Sequence, residues 1–243
     1  MNPEPTKPQN KRPVRPCGLC RTVRELCDSH LIPRAIYKIL RDPIEPNPNP
    51  HHVGDGKDLQ TSRQITDYLL CFECEQRLRE VGEDWMTANC YRNEQTFRLR
   101  ETLQEANPRS DNDKIQVYET ASIPGLDTDA LIYFAMSVIW RSAAHRWRLF
   151  GHTHKIYLGP YEERVRQFLL DPAVFPDKVA LMVRVSSNPD TMKIAYVPHE
   201  ANSHGFHFLK FAIPGVTFLA FIGGKIPSNI VQTNTAPSPN DLS

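Results

Sequence analysis

The chain predicts an α+β fold in two units, and three observations carry that prediction. Four of its six cysteines form two CxxC pairs, Cys17/Cys20 and Cys71/Cys74. The run LIYFAMSVIWRSAAHRWRLF, 131–150, is hydrophobic around most of a helical circumference. Four β-branched and aromatic runs separated by turn residues follow it. With 243 residues, 40% hydrophobic and 23% charged, the chain is long enough to bury a real core and is not disordered throughout.

Residues 1–16 hold five prolines, which cannot form a helix or join a sheet interior, so a flexible arm is expected there. Residues 1–24 carry six basic side chains (Lys7, Lys11, Arg12, Arg15, Arg21, Arg24) against Glu4, a local charge of +5 in a chain whose net charge is +1. The arm is either a solvated tail or a segment that contacts phosphates. Residues 24–32 read as extended, 33–40 as a helix with proline near its first position, and 42–58 as a Pro-, Asn- and Gly-rich loop. Extended structure resumes at 65–70 and runs into Cys71.

After Cys74, the residues Leu78, Val81, Trp85 and Met86 recur at helical spacing, interrupted by Gly82. The polar stretch 93–127 reads as a linker between a domain at 17–92 and one at 128–227. Asp127 or Thr128 can cap the long helix. A second helix follows Gly159-Pro160, with Tyr161, Val165, Phe168 and Leu169 on one face. The runs 179–185, 192–197, 206–213 and 216–222 predict antiparallel strands, and 228–243 a loose tail. The apolar stretches 131–140 and 212–223 are shorter than the roughly 20 residues that span a bilayer. The N-terminus has no apolar signal region. No membrane association is expected, and the reducing cytoplasm is the expected compartment.

In that compartment paired cysteines favour metal over disulfide. Each CxxC offers two thiolates from one turn, and the two pairs together complete a tetrahedral four-thiolate site for structural Zn2+. Cys27 and Cys90 are expected to pack as small hydrophobes.

The order of CxxC, a strand ending in His-Leu-Ile-Pro (30–33), a long loop and LLCFECE (69–75) entering a helix resembles the HNH endonuclease family. The branch it resembles has two CxxC pairs holding zinc around a ββα-metal core. The resemblance covers 17 to about 85. It implies a nuclease that hydrolyses phosphodiester bonds, with His30 as general base and Glu75 as a ligand of a catalytic Mg2+ or Mn2+.

The acid that usually precedes the histidine is replaced by Ser29. Asp28, one position further back, is the expected substitute ligand, on the same strand face as His30. The family's middle Asn has no clear match; Asp67 lies near its place, and Asn47 and Asn49 lie in the loop. A bacterial restriction or anti-phage setting, with DNA as partner, is implied by the same resemblance.

Other readings stand beside these. His30 could cap the zinc knuckle, and Glu75 could simply open a helix. His51 and His52 are extra ligands or solvent-exposed. Arg141, His145 and Arg148, at i, i+4 and i+7, form either a phosphate-binding stripe or ion pairs with Glu162 and Glu163. As a whole the chain is then a nuclease, an inactive zinc module that binds nucleic acid, or a scaffold that self-associates or binds a protein partner through its C-terminal sheet.

Overall fold

The computed structural model describes residues 11–41, 46–54, 57–112, 115–149, 151–188 and 192–227. The expectations for residues 1–10, for 42–45 and 55–56 of the loop, for position 150 of the long helix and for the tail 228–243 lie outside them. Helices and antiparallel strands alternate, giving the expected α+β class. Among the described residues no helix is long and apolar enough to cross a membrane.

The first sheet is built from β1 (Val14–Pro16), β2 (Val23–His30) and a later strand, β5 (Thr66–Cys71), in the order β1-β2-β5. Its first strand corrects the prediction of a flexible arm over 1–16, since Val14 to Pro16 pair antiparallel with Val23 to Glu25. Proline is tolerated because β1 is an edge strand. Between β2 and β5 come α1 (Arg34–Ile39) and a hairpin of β3 (His51–Gly54) and β4 (Lys57–Gln60). Part of the expected loop is therefore paired.

From Cys71 the chain passes directly into α2 (Phe72–Leu78), a five-residue π turn (Arg79–Glu83) and α3 (Asp84–Asn89). The π turn rotates the helical face. Gly82 becomes buried, while Val81, predicted to face the core, is 37% exposed. A Cβ on Gly82 would lie 2.8 Å from the backbone nitrogen of Phe134, so glycine here permits a close helix crossing.

The segment read as a linker contains α4 (Arg98–Gln104), a short pair β6 (Ser110–Asp111) and β7 (Gln116–Val117), and a 3-10 turn at Thr120–Ser122. It also contributes to the core through Phe97 and Leu99. The central helix α5 spans Thr128–Ala144, capped by Asp127, whose carboxylate accepts from the Ala130 amide at 2.9 Å. Its residues from Tyr133 through Ala143 are all buried.

The helix stops six residues before the predicted end. Trp147 is fully buried and donates its indole N–H to the Arg141 carbonyl at 2.8 Å, drawing the chain into β8 (Trp147–Leu149), which pairs with β9 (His152–His154). Next, α6 (Tyr161–Leu170) buries Val165, Phe168 and Leu169 as predicted.

The C-terminal sheet runs β10 (Val179–Val185), β13 (Val216–Ile222), β12 (Phe206–Ile213), β11 (Tyr196–Ser203), all neighbours antiparallel. Three strands fall where predicted. The fourth is Tyr196–Ser203 rather than 192–197. It is an edge strand, largely exposed from His199 on, and its irregularity between Tyr196 and His199 accommodates Pro198. Alternation gives the sheet two apolar faces. Phe211 and Phe218 stack at 4.5 Å and pack on Phe134 of α5, while Leu219 and Phe221 form a separate cluster on the other face. Buried residues of 17–92 and 128–227 join in one core.

Candidate metal centre and active-site cleft

The two CxxC pairs converge because β5 lies antiparallel beside β2. Cys17 and Cys20 flank a knuckle closed by Arg21 N–H donating to the Cys17 carbonyl at 2.9 Å, with Arg21 left-handed at φ 62°. Gly18 donates to the Leu69 carbonyl at 2.9 Å and seats the knuckle on β5. There a Cβ would come within 2.5 Å of the Leu69 side chain. Cys71 ends β5 and Cys74 lies in the first turn of α2.

The four Sγ atoms all lie within 4.8 Å of one another, and the Cys71 amide donates to the Cys17 sulfur at 3.3 Å. A tetrahedral zinc–thiolate site has S···S edges of roughly 3.8 Å, and Cys20 and Cys71 are already 3.9 Å apart. The cluster could therefore hold a metal ion such as zinc. The hydrogen bond from Cys74, with backbone amides and against the cost of burial, holds the Cys17 thiol down to about 4; the same bond pushes Cys74 up. Cys90 is fully buried, its thiol pushed up to about 12 by desolvation, whereas Cys27 is half-buried.

Beside this centre, at the junction of β2, α1 and α2, lies a cleft of about 270 Å3. His30, Arg34, Glu75, Arg79, Glu83 and Arg141 are among its walls. Two of the predicted site residues, His30 and Glu75, are thus brought together. Asp28 is not: it is exposed, pairs in register with Tyr68 and lies outside the lining. Strand alternation sets Asp28 and His30 on either side of Ser29, but only His30, at the strand end, reaches the cleft. Ser29 is fully buried, accepts from the Leu70 amide at 3.0 Å and donates to the Cys27 carbonyl at 3.4 Å.

His30 Nε2 lies 2.7 Å from Gln64 Oε1. An amide oxygen only accepts, so Nε2 carries the proton and Nδ1 presents its lone pair. Burial holds this imidazole below its usual value; Gln64 and the charge of Asp28 act in the opposite sense. The neutral form, able to accept a proton, therefore prevails at neutral pH. Burial raises the Glu75 carboxyl, with Arg141 and Ser29 opposing. Its Oε1 is buried without a hydrogen-bond partner, a situation that costs about 1–3 kcal/mol unless something fills it.

Asp67 does not orient His30. Its carboxylate bonds His145 at 2.9 Å and the Tyr68 amide at 2.7 Å, which together hold it below its usual value against burial. Asn47 and Asn49 bond each other and Gln60 in the loop. His51 is exposed and pairs with Asp58 at 2.8 Å. The predicted stripe is split. Arg141 is 1% exposed and ion-pairs with Glu83, not Glu162 or Glu163; His145 caps α5, and Arg148 sits on β8.

Two residues the sequence did not reveal, Gln64 and Glu83, complete the site. Their sole signal was position, Gln64 just before β5 and Glu83 just after Gly82. A second cleft, about 220 Å3 over the C-terminal sheet, contains none of the predicted site residues.

Among the described residues the four cysteines are the one group of three or more His, Cys, Asp or Glu side chains able to share a metal. For a second cation the cleft offers the free oxygen of Glu75. That fits Mg2+, which is held by one or two carboxylates with water and phosphate oxygens making up the rest. A scan against protein-family models finds no match, and searches of curated proteins and of solved structures find none either.

Proposed function

We propose that this chain is an HNH-type nuclease that hydrolyses phosphodiester bonds of nucleic acid, DNA foremost, with zinc on Cys17, Cys20, Cys71 and Cys74 as its scaffold. The observation that carries the reading is that His30 and Glu75 line one cleft, with Glu75 Oε1 buried and without a partner. That cleft lies where an antiparallel strand pair runs into a helix. In this reading His30 Nδ1 takes the proton of the water that attacks phosphorus, while Gln64 fixes the tautomer from the far side of the ring. Glu75 would hold Mg2+ or Mn2+, which supplies positive charge for the phosphoryl and leaving oxygens. The Arg141 bond to the His30 carbonyl holds the end of β2 in place.

The test is nicking of supercoiled plasmid by zinc-loaded protein with Mg2+ or Mn2+. His30→Ala should lower the rate about 10²–10⁴-fold, the usual contribution of a general base. Equal rates in wild type, His30→Ala and Glu75→Gln would refute the assignment.

One observation favours a second reading, a zinc module that binds nucleic acid without cutting it: Asp28 lies outside the cleft, whose carboxylates are Glu75 and the Arg141-paired Glu83. That reading predicts nucleic-acid affinity unchanged by removing Mg2+ while zinc is retained, and no cleavage.

A further inference from the structure

Among the described residues three buried side-chain atoms have no hydrogen-bond partner: Asn49 Oδ1, Glu75 Oε1 and Arg141 Nε. Two of the three belong to walls of the same cleft, one an acceptor and the other a donor. Arg141 is 1% exposed, and its remaining nitrogens are engaged. Nη1 donates to the His30 carbonyl at 2.8 Å; Nη2 donates to Glu83, and to Ser137 Oγ at 3.3 Å. Strand β2, the π turn and α5 itself thus fix the guanidinium, and its buried Nε–H is left without a partner.

The group that satisfies both orphans carries an anionic acceptor for Arg141 and a cation for Glu75. A phosphate oxygen with its divalent counter-ion has that character. At about 270 Å3 the cleft is smaller than the roughly 300–1,000 Å3 of sites that enclose a whole drug-sized ligand. It suits a phosphate group whose attached nucleosides lie outside. Arg34 and Arg79, also in its walls, add positive charge.

We infer that Arg141 is the phosphate-binding residue of this cleft, its Nε–H donating to a non-bridging oxygen of a phosphodiester while Glu75 holds the divalent cation that the phosphate shares. The inference rests on the phosphodiester chemistry proposed above. It makes α5, from the C-terminal half of the chain, part of the substrate site.

The test uses the whole 243-residue chain, zinc-loaded, with Mn2+ binding followed by electron paramagnetic resonance in the absence and presence of inorganic phosphate. Phosphate should tighten Mn2+ binding to wild type about tenfold, the scale of one charge-assisted hydrogen bond. In Arg141→Lys the ratio of Mn2+ affinities with and without phosphate should fall to about one, whatever its affinity without phosphate. Glu75→Gln should lose Mn2+ affinity in both conditions. With no Mn2+ present it should bind phosphate more tightly than wild type, because a negative charge has been removed. This second variant keeps the inference testable if Arg141→Lys does not fold, as judged by zinc content and thermal melting.

Phosphate enhancement that persists in Arg141→Lys, no enhancement in wild type, or unchanged phosphate affinity in Glu75→Gln would each overturn the assignment. Arg141-dependent phosphate binding without plasmid nicking would instead uphold the site and refute the nuclease reading. Nicking with no Arg141 dependence of phosphate binding would do the reverse.

Discussion

Arg141 donates a hydrogen bond of 2.8 Å to the backbone carbonyl of His30, across a sequence separation of 111 residues. Through this bond and its ion pair with Glu83, one side chain of the central helix ties the end of β2 to the π turn. The same side chain is 1% exposed, so the cost of burying its charge is offset by those partners.

Arg141→Ala should destabilise the protein by about 3–5 kcal/mol, because it leaves the half-buried Glu83 without its cation. The paired change Arg141→Met with Glu83→Leu should recover most of that loss while abolishing site function. A double-mutant cycle by urea denaturation checks this, and additive effects would argue against coupling.

Gly82→Ala should cost about 1–3 kcal/mol, the range for forcing atoms into a filled interior. The added methyl meets the Phe134 backbone at 2.8 Å, which cannot rotate away as a side chain could. Thermal melting measures the loss, and a neutral result would mean that α5 and the π turn can separate freely.

Replacing Cys74 with serine should abolish stoichiometric zinc, read by metal analysis, and loosen β1, β2, β5 and α2 together. Structural zinc contributes roughly 10–16 kcal/mol of apparent binding energy that is unavailable to an unfolded site. Hydrogen exchange should show lost protection in those elements first. Cys90→Ala, which removes a buried thiol outside the cluster, should leave zinc content unchanged.

His154 gives the fold a sensitivity to acid. Burial holds its imidazole below the ordinary 6.5, the nearby His199 acts in the same sense, and its Nε2 lies 2.6 Å from the buried Ser142 hydroxyl. The folded state therefore binds its proton less readily than the unfolded chain. The contribution is fully present above about 6.5, the unfolded value, and is lost as the pH falls through the lower folded value. Melting temperature should drop as the pH falls from about 6.5 to the lower folded value, and His154→Gln should flatten the drop.

Local chemistry made much of this legible in the sequence. The CxxC pairs announced a thiolate cluster by spacing alone, and strand alternation located three strands of the C-terminal sheet. Where the reading failed, the deciding contact was long-range. The helical pattern of α5 continues past Ala144 in sequence, but burial of Trp147 ends the helix and separates His145 and Arg148 from Arg141. The residue Val81 fits the apolar period of α2, yet the π turn shifts that period and brings Gly82 inward. Gln64 and Glu83 carry no motif, and their roles exist only once β2 and α5 lie beside them.

The proposed role of His30 as general base is tested by chemical rescue. Zinc-loaded His30→Ala would be incubated with supercoiled plasmid and Mn2+, with and without free imidazole. Nicking should be lost and should partly return as imidazole is added, because a diffusible base occupies the space the side chain left. A His30→Ala protein that nicks as fast as wild type without imidazole would contradict it.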